Sequence, residues 1–273
     1  MEDTVNTSAT SLGQPAQKQP AKRDAFAALL SPKPKQPKPD KNIPTTKGSR
    51  KASGGFRDDL GAYIAKPESY PPNVVVYHND DFVVIHDMFP KSTLHLLLLP
   101  RDLEKTYLHP NEAFDDVEFL LKVKEEVKKV RAFAAGELRR RYGKYSVQDR
   151  ERQDALIAEP PPETLPTGRD WEKDVMCGIH SHPSMNHLHV HIISVDRHSD
   201  RLKHRKHYNS FSTPFFVGID DFPLAQDDPR RDPDRQGYLR SNFMCWRCGR
   251  DFGNQFTALK RHLEDEFDEW KRL

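Results

Sequence analysis

The sequence predicts an α+β fold, an antiparallel sheet carrying one long helix, followed by a small ββα-like module. Short β-branched or aliphatic runs fall on both sides of a single amphipathic helical stretch. The histidines of "HLHVHII" occupy alternate positions, which is the period of a strand. The last stretch of the chain combines a Cys-x-x-Cys pair with a downstream histidine at finger-like spacing.

Residues 1–55 carry ten Lys/Arg against four Asp/Glu, a local charge of +6. Text such as "SPKPKQPKPDK" and "TTKGSRKASGG" offers Pro, Gly and Ser in place of core residues, so a disordered basic tail is expected. Its one apolar island, "DAFAALL" (Asp24 to Leu30), is a candidate docking turn for a protein partner. Clusters such as "KQPAKRD" suit nuclear import or loose attraction to nucleic acid.

From Phe56 onward the chain becomes foldable. "FRDDLGAYI" has helical spacing in Phe56, Leu60, Tyr63 and Ile64, and Pro67 closes it. "NVVVY", "FVVIHD" and "STLHLLLLP" read as antiparallel strands joined by turns. Asn111 to Tyr142 reads as one long helix with Leu120, Val123, Val127, Val130, Ala134 and Leu138 on one face. The Pro-rich stretch at 145–170 is expected to be a surface insertion, after which "DVMCGI" and "HLHVHIISV" complete the sheet. The division is a main domain over 56–218, a linker over 219–238 and a finger over 239–273.

With three cysteines, two of them only two residues apart, a disulfide framework is not expected and a reducing compartment is. No apolar run approaches a membrane span, so no membrane association is expected, and the N-terminal text lacks the pattern of a secretory signal.

In a strand, His187, His189 and His191 share one face and Leu188, Val190 and Ile192 the other. The aliphatic face suits a core, and the histidine face a cleft. Three imidazoles in a row spread over roughly 13 Å at about 3.3 Å per residue, too wide for one tetrahedral metal. Satisfied histidines without a task remain one reading. Covalent catalysis is the other, because a neutral imidazole attacks phosphorus without prior deprotonation while neighbouring imidazoles orient it or move protons.

"HLHVHII" resembles the His-φ-His-φ-His-φ-φ motif, φ being apolar, of the histidine triad superfamily of nucleotide hydrolases and transferases. "GIHSHPSMNHLHVHIISVD", "LKHRKHYNSF" and "FPKSTLHLLLLPRD" are similar to its aprataxin branch. The resemblance implies a histidine triad domain in which His189 is the nucleophile and His187 and His191 orient it and bind phosphate. His198, at the family's spacing, is the first choice for leaving-group protonation, with His180 the second. Ser184 and Met185 fall where relatives contact the nucleotide phosphate, with Ser194 a weaker candidate, and Lys91 and His95 fall where relatives line the nucleotide pocket.

At the C-terminus, Cys245 and Cys248 followed by His262 have the spacing of a ββα zinc finger, with Phe252 and Leu259 as its small core. Glu266 stands one helical turn beyond His262, where a second histidine is expected, and a carboxylate is an accepted zinc ligand. The resemblance favours Cys245, Cys248, His262 and Glu266 as the ligands of a structural zinc, the histidine chemistry needing no metal. Lys203, Arg205, Lys206, Arg247 and Lys260 are candidate phosphate contacts, and Phe56 a candidate for stacking on a terminal base pair.

The family's substrate is DNA whose 5′ phosphate carries an adenylate left by abortive ligation. The resemblance implies a nuclear DNA repair hydrolase that binds nicked or double-stranded adenylated ends and releases AMP, with a repair-protein partner for the tail. Two other readings stay open at this point: a hydrolase of nucleoside phosphoramidates or dinucleoside polyphosphates, and a non-enzymatic zinc-dependent DNA-binding adaptor.

Overall fold

The computed structural model describes residues 56–273. The basic tail and its apolar island lie outside them. Six strands form one sheet: β1 (Val75–His78), β2 (Phe82–His86), β3 (His95–Pro100), β4 (Val175–His180), β5 (Val190–Ser194) and β6 (Phe216–Gly218). The order is β1-β2-β3-β5-β4-β6, antiparallel throughout. The helices are α1 (Gly61–Ala65), α2 (Pro110–Ala113), α3 (Val117–Tyr142), α4 (Arg150–Ile157), α5 (Arg205–Ser212), α6 (Pro233–Gln236) and α7 (Phe256–Trp270).

Strand alternation sorts the residues between two faces. Phe82, Val84, Leu96, Leu98, Val190 and Ile192 pack toward α3, whose Leu120, Val123, Val127, Val130, Ala134 and Leu138 are all buried there. Val83, Ile85, Leu97 and Leu99 pack with Leu60 and Ile64 of the α1 segment on the opposite face. That second face also carries His95 and His191, because β3 and β5 pair Leu97 with His191 and His95 with Ile193.

The long helix starts later than its periodicity indicates. It is preceded by α2, and the Asp116 carboxylate caps α3 by accepting from the Phe119 N–H at 3.1 Å. The 145–170 segment contains α4 and is anchored by Asp149, which is fully buried. Its carboxylate accepts from Trp171 Nε1 at 2.7 Å and the Arg169 N–H at 2.8 Å. β6 is too short to show a period, while α5 is amphipathic and buries Tyr208 and Phe211, one helical turn apart.

The C-terminal module is fused to the sheet domain. Phe243, Leu259 and Leu263 share a cluster with Leu202 and Tyr208, and Phe252 packs against it. Within 219–238, Ile219, Phe222 and Leu224 are buried in the main core. The far end of α7 is tied down by Trp270, 1% exposed, whose Nε1 donates to Asp174 Oδ1 at 2.7 Å. Trp270 meets Trp171 edge-on at 5.9 Å, and Arg169 donates from Nη1 to its carbonyl at 2.8 Å. Replacing Trp270 by Ala is expected to cost about 3–5 kcal/mol. Chemical denaturation followed at Trp171 and at the finger should show both regions losing stability together; loss confined to the finger contradicts this packing.

Candidate active site and metal centre

β5 begins at Val190, so only His191 of the triplet lies within the strand; His187 and His189 belong to the lead-in from the 181–189 loop. All three are buried, as is the aliphatic side, so the histidine face looks into a closed polar pocket. Two further histidines join them through sheet register. β5 pairs with β4 at Gly178 opposite His191, which brings His180, two residues on, to the same face. The His180 and His191 ring centroids are 4.5 Å apart, and those of His189 and His191 4.9 Å.

Hydrogen-bond partners assign the protons. His189 Nδ1 lies 2.7 Å from the His187 carbonyl oxygen, which can only accept. Nδ1 therefore carries the hydrogen and Nε2 presents its lone pair. The Lys91 N–H donates to His95 Nδ1 at 3.2 Å, so His95 Nε2 carries the proton it shares with His191 Nδ1 at 3.0 Å. His191 is then protonated at Nε2, a buried atom without a partner among the described residues. His180 Nε2 and His187 Nδ1 are likewise buried and unpartnered, while His187 Nε2 meets the Tyr107 hydroxyl at 3.1 Å. Buried polar atoms without partners are costly, and such orphaned nitrogens suit a site that receives a polar ligand. Asp87, His95 and His191 are also close enough to ligate an ion, but the two ring nitrogens bond to each other.

Burial holds these imidazoles neutral. It pushes His95 down to about 4, with the Lys91 charge acting in the same direction and Asp87 opposing. His180 and His191 lie well below the usual imidazole value, first through burial, then through His189 in the case of His180 and through His180 in the case of His191. His187 and His189 are lowered chiefly by burial, and Lys91 is lowered for the same reason.

The walls come from segments that carry no motif. Phe211 of α5 touches the rings of His95, His180 and His191, with centroids at 5.3, 4.6 and 5.1 Å. Gly61 abuts His187: a Cβ there would lie 2.7 Å from Nε2, so only glycine lets α1 cover that ring. Asn186 ties the histidine loop to the first turn, its N–H donating to the Arg57 carbonyl at 2.9 Å and its Nδ2 to Asp58 at 2.7 Å. A cleft lined by Arg57, Tyr107, His109, His182, Met185 and Asn186 opens beside His187. His207 is pushed down to about 4 by burial and by the charge of nearby Lys91. Asp87, Tyr107, His207 and Phe211 escaped the sequence reading; His207 and Phe211 lay inside a recognised segment without being singled out.

Two expected residues are elsewhere. His198 Nε2 pairs with Glu264 at 2.6 Å, and its ring stacks on Phe267 of α7 at 4.2 Å, so it joins the finger helix rather than the imidazole cluster. Ser194 is fully buried; its hydroxyl donates to Asp196 at 2.5 Å and accepts from the Leu94 N–H at 3.1 Å, leaving it no role as a phosphate contact. Ser184 is exposed on the loop, and Met185 packs against the α1 side of the sheet.

The second centre is in the finger, where Met244 and Asp251 bridge into a minimal hairpin before α7. One donor atom each from Cys245, Cys248, His262 and Glu266 lies within 4.8 Å of the others. Cys248 Sγ is 3.2 Å from His262 Nε2, which is 3.0 Å from Glu266 Oε1. Two thiolates, an imidazole and a carboxylate fit tetrahedral zinc. Glu266 is buried, which opposes its ionisation, but Arg247 at 2.6 Å from Oε2 holds its carboxyl below the usual range. Arg247 thus supports a ligand from the outer side.

Of the other candidate DNA contacts, Lys203 and Lys206 are exposed. Arg205 donates to the carbonyls of Arg240 and Ser241, and Lys260 to the Ser199 carbonyl at 3.2 Å, so both stitch the finger to the sheet domain. Phe56 is 64% exposed, with Phe89 alongside at 6.4 Å.

Comparison with known proteins agrees with both centres. The HIT domain family model matches residues 68–198, and a C2HE / C2H2 / C2HC zinc-binding finger model matches residues 212–269. An aprataxin-like protein of Schizosaccharomyces pombe is 39% identical over 256 residues, covering 90% of this chain and 94% of that protein. One from Saccharomyces cerevisiae is 37% identical, covering 78% and 96%. Among solved structures, the aprataxin ortholog Hnt3 in complex with DNA superposes with a TM-score of 0.62 at 35% identity, covering 79% of this chain and 96% of that one. Hnt3 in complex with DNA and guanosine gives a TM-score of 0.61 at 37% identity. With this similarity running through the sheet, the imidazole cluster and the Cys-Cys-His-Glu centre alike, the chain belongs to the aprataxin family of histidine triad proteins.

Proposed function

We propose that this DNA 5′-adenylate hydrolase works through His189, and that the carrying observation is the His189 Nδ1–H bond to the His187 carbonyl. That bond leaves Nε2 as a free nucleophile at neutral pH and supports the positive charge the ring gains on attack. Nε2 attacks the adenylate phosphorus, and the bond from phosphorus to the DNA 5′-phosphate oxygen breaks. Water then cleaves the phosphorus–nitrogen bond and releases AMP. His191 Nε2–H and the unpartnered nitrogens of His187 and His180 serve the phosphoryl oxygens.

His180, not His198, serves the leaving group, because it lies in the cluster while His198 is held by α7; held neutral by burial, it donates a hydrogen bond to the departing phosphate oxygen rather than a proton. The leaving phosphate has a second pKa of about 6, so it needs little protonation. Duplex DNA enters against Phe56, Lys203 and Lys206, with the finger holding its backbone. Zinc at Cys245, Cys248, His262 and Glu266 has a structural role, fixing the start of α7. The division into tail, catalytic domain to 218, linker and finger, nuclear residence and a repair-protein partner for the tail complete the reading. No helix among the described residues is long and apolar enough to cross a membrane.

Three tests follow this chemistry. With 5′-adenylated nicked duplex, His189→Ala should release no AMP while retaining salt-sensitive DNA binding. His180→Ala should lose about 10²-fold in kcat, as for removal of one preorganised hydrogen-bond donor to developing negative charge, and His198→Ala far less. AMP release by His189→Ala, or a larger loss at His198, contradicts the assignment.

Because the free cluster is neutral, kcat/KM should hold as pH falls through about 6.5 and decline only below it. The same depressed affinities make the unfolded chain the better proton acceptor, so stability should fall as pH drops from about 6.5 toward 4. A kcat/KM limb centred at 6.5 contradicts neutral burial. For the metal, Glu266→Ala should bind zinc at least about tenfold more weakly while Arg247→Gln shows a smaller loss; unchanged zinc retention in Glu266→Ala removes it from the ligand set.

A further inference from the structure

The chain adopts a left-handed backbone at one non-glycine position among the described residues, Arg197, with φ of 51°. An L side chain adopts this conformation at a cost and keeps it only when its surroundings impose it. The surroundings here are a complete set of neutral acceptors around a guanidinium that is 4% exposed. Nε donates to Ser212 Oγ at 3.2 Å, and Nη1 to the carbonyls of Val195 at 3.0 Å and Ser194 at 3.5 Å. Nη2 donates to the Phe211 carbonyl at 2.7 Å and contacts Met176 Sδ at 3.0 Å. The Arg197 N–H donates to Ser92 Oγ at 3.1 Å.

These bonds join the end of β5, the last turn of α5 and the segment leading into β3. The end of α5 is where Phe211 projects against three imidazoles, edge-on to His95 (89°) and His191 (85°) and tilted on His180 (58°). An aromatic edge meeting a ring face fixes orientation better than an aliphatic contact does. The only hydrogen bond to the Phe211 carbonyl from outside α5 among the described residues is the one from Arg197.

We propose that Arg197 is a positioning residue for nucleotidyl transfer, its guanidinium fork fixing the main chain at Phe211–Ser212 so that the Phe211 ring sets the orientation of His95, His191 and His180. It touches no reacting atom. Its charge also opposes protonation of His95, in the same direction as burial. The proposal rests on His189 being the nucleophile.

The test uses the full zinc-loaded chain and 5′-adenylated nicked duplex, comparing Arg197→Met, Arg197→Lys, Phe211→Leu and the double variant Arg197→Met/Phe211→Leu. Misplacing reacting groups by about 1 Å can cost 10²-fold, so Arg197→Met should lose about 10²-fold in kcat with KM changed less than about twofold. Because both residues act through one contact, the double variant should be no slower than the slower single variant. Arg197→Lys, which keeps the charge but not the fork, should fall about tenfold.

A kcat for Arg197→Met within about threefold of the parent, losses that multiply in the double variant, or an effect carried by KM each overturn the proposal. Should Arg197→Met fail to fold, Arg197→Lys decides: a parental kcat overturns it, and a tenfold loss at unchanged KM and zinc content upholds it. The parent and His189→Ala run alongside; if the parent releases no AMP or His189→Ala does, the nucleophile assignment fails, which is distinguishable from failure of the Arg197 proposal.

Discussion

Four buried imidazoles, three of them packed around His191, are tolerable only while all are neutral, and the rest of the site follows from that constraint. A single protonated ring would face three low-dielectric neighbours and the Lys91 ammonium. Neutrality leaves each ring one donor and one acceptor, so a single fixed proton propagates. The Lys91 N–H sets His95, His95 sets His191, and the His187 carbonyl sets His189. Along the first of these chains the sequence of bonds ends at His191 Nε2, a buried nitrogen without a partner among the described residues.

The finger is coupled to this cluster through the turn after β5. Asp196 accepts from Thr93 and Ser194, His198 clamps Glu264 and Phe267, and Ser199 reaches both the Pro90 carbonyl and Lys260 of α7. Residues 196–199 therefore connect the triplet strand, the turn carrying Lys91 and the zinc-bearing helix. At the other end of α7, Trp270 is set among Trp171, Tyr142 and Arg169. A helix fastened at both ends cannot swing independently of the sheet. The finger and the imidazole cluster consequently keep a fixed separation.

Much of this was legible in the sequence because it rests on period. The continuous aliphatic run of "STLHLLLLP", the alternation of "HLHVHIISV" and the 3.6-residue stripe of α3 are set by burial, and the structure buries those residues. Cys245, Cys248, His262 and Glu266 were legible because ligand spacing on a hairpin and a helix is fixed by local geometry. What escaped depends on contacts between distant segments. Asp116 stops the helix from running back to residue 111, yet an Asp within a helical pattern is ambiguous until its partner N–H is known. Phe211 reads as an ordinary apolar residue, and its contact with three histidines requires α5 to be in place. Tyr107 meets His187 across 80 positions in the chain.

His198 shows most clearly where sequence spacing stops being informative. Counting residues past the triplet assumes that the chain continues along the strand, but Val195 and Asp196 turn and Arg197 adopts a left-handed backbone. Each of these redirects the next side chain, so a residue seven positions beyond His191 has no geometric claim on the His189 ring. His180 lies as far before His189 in the sequence as His198 lies after it, yet sheet register places it beside His191 because β4 and β5 pair directly. Hydrogen-bonded strands transmit position across long stretches of chain, while a turn loses it within two or three residues. Catalytic partners of a strand histidine are therefore best sought on the neighbouring strands rather than further along the same segment.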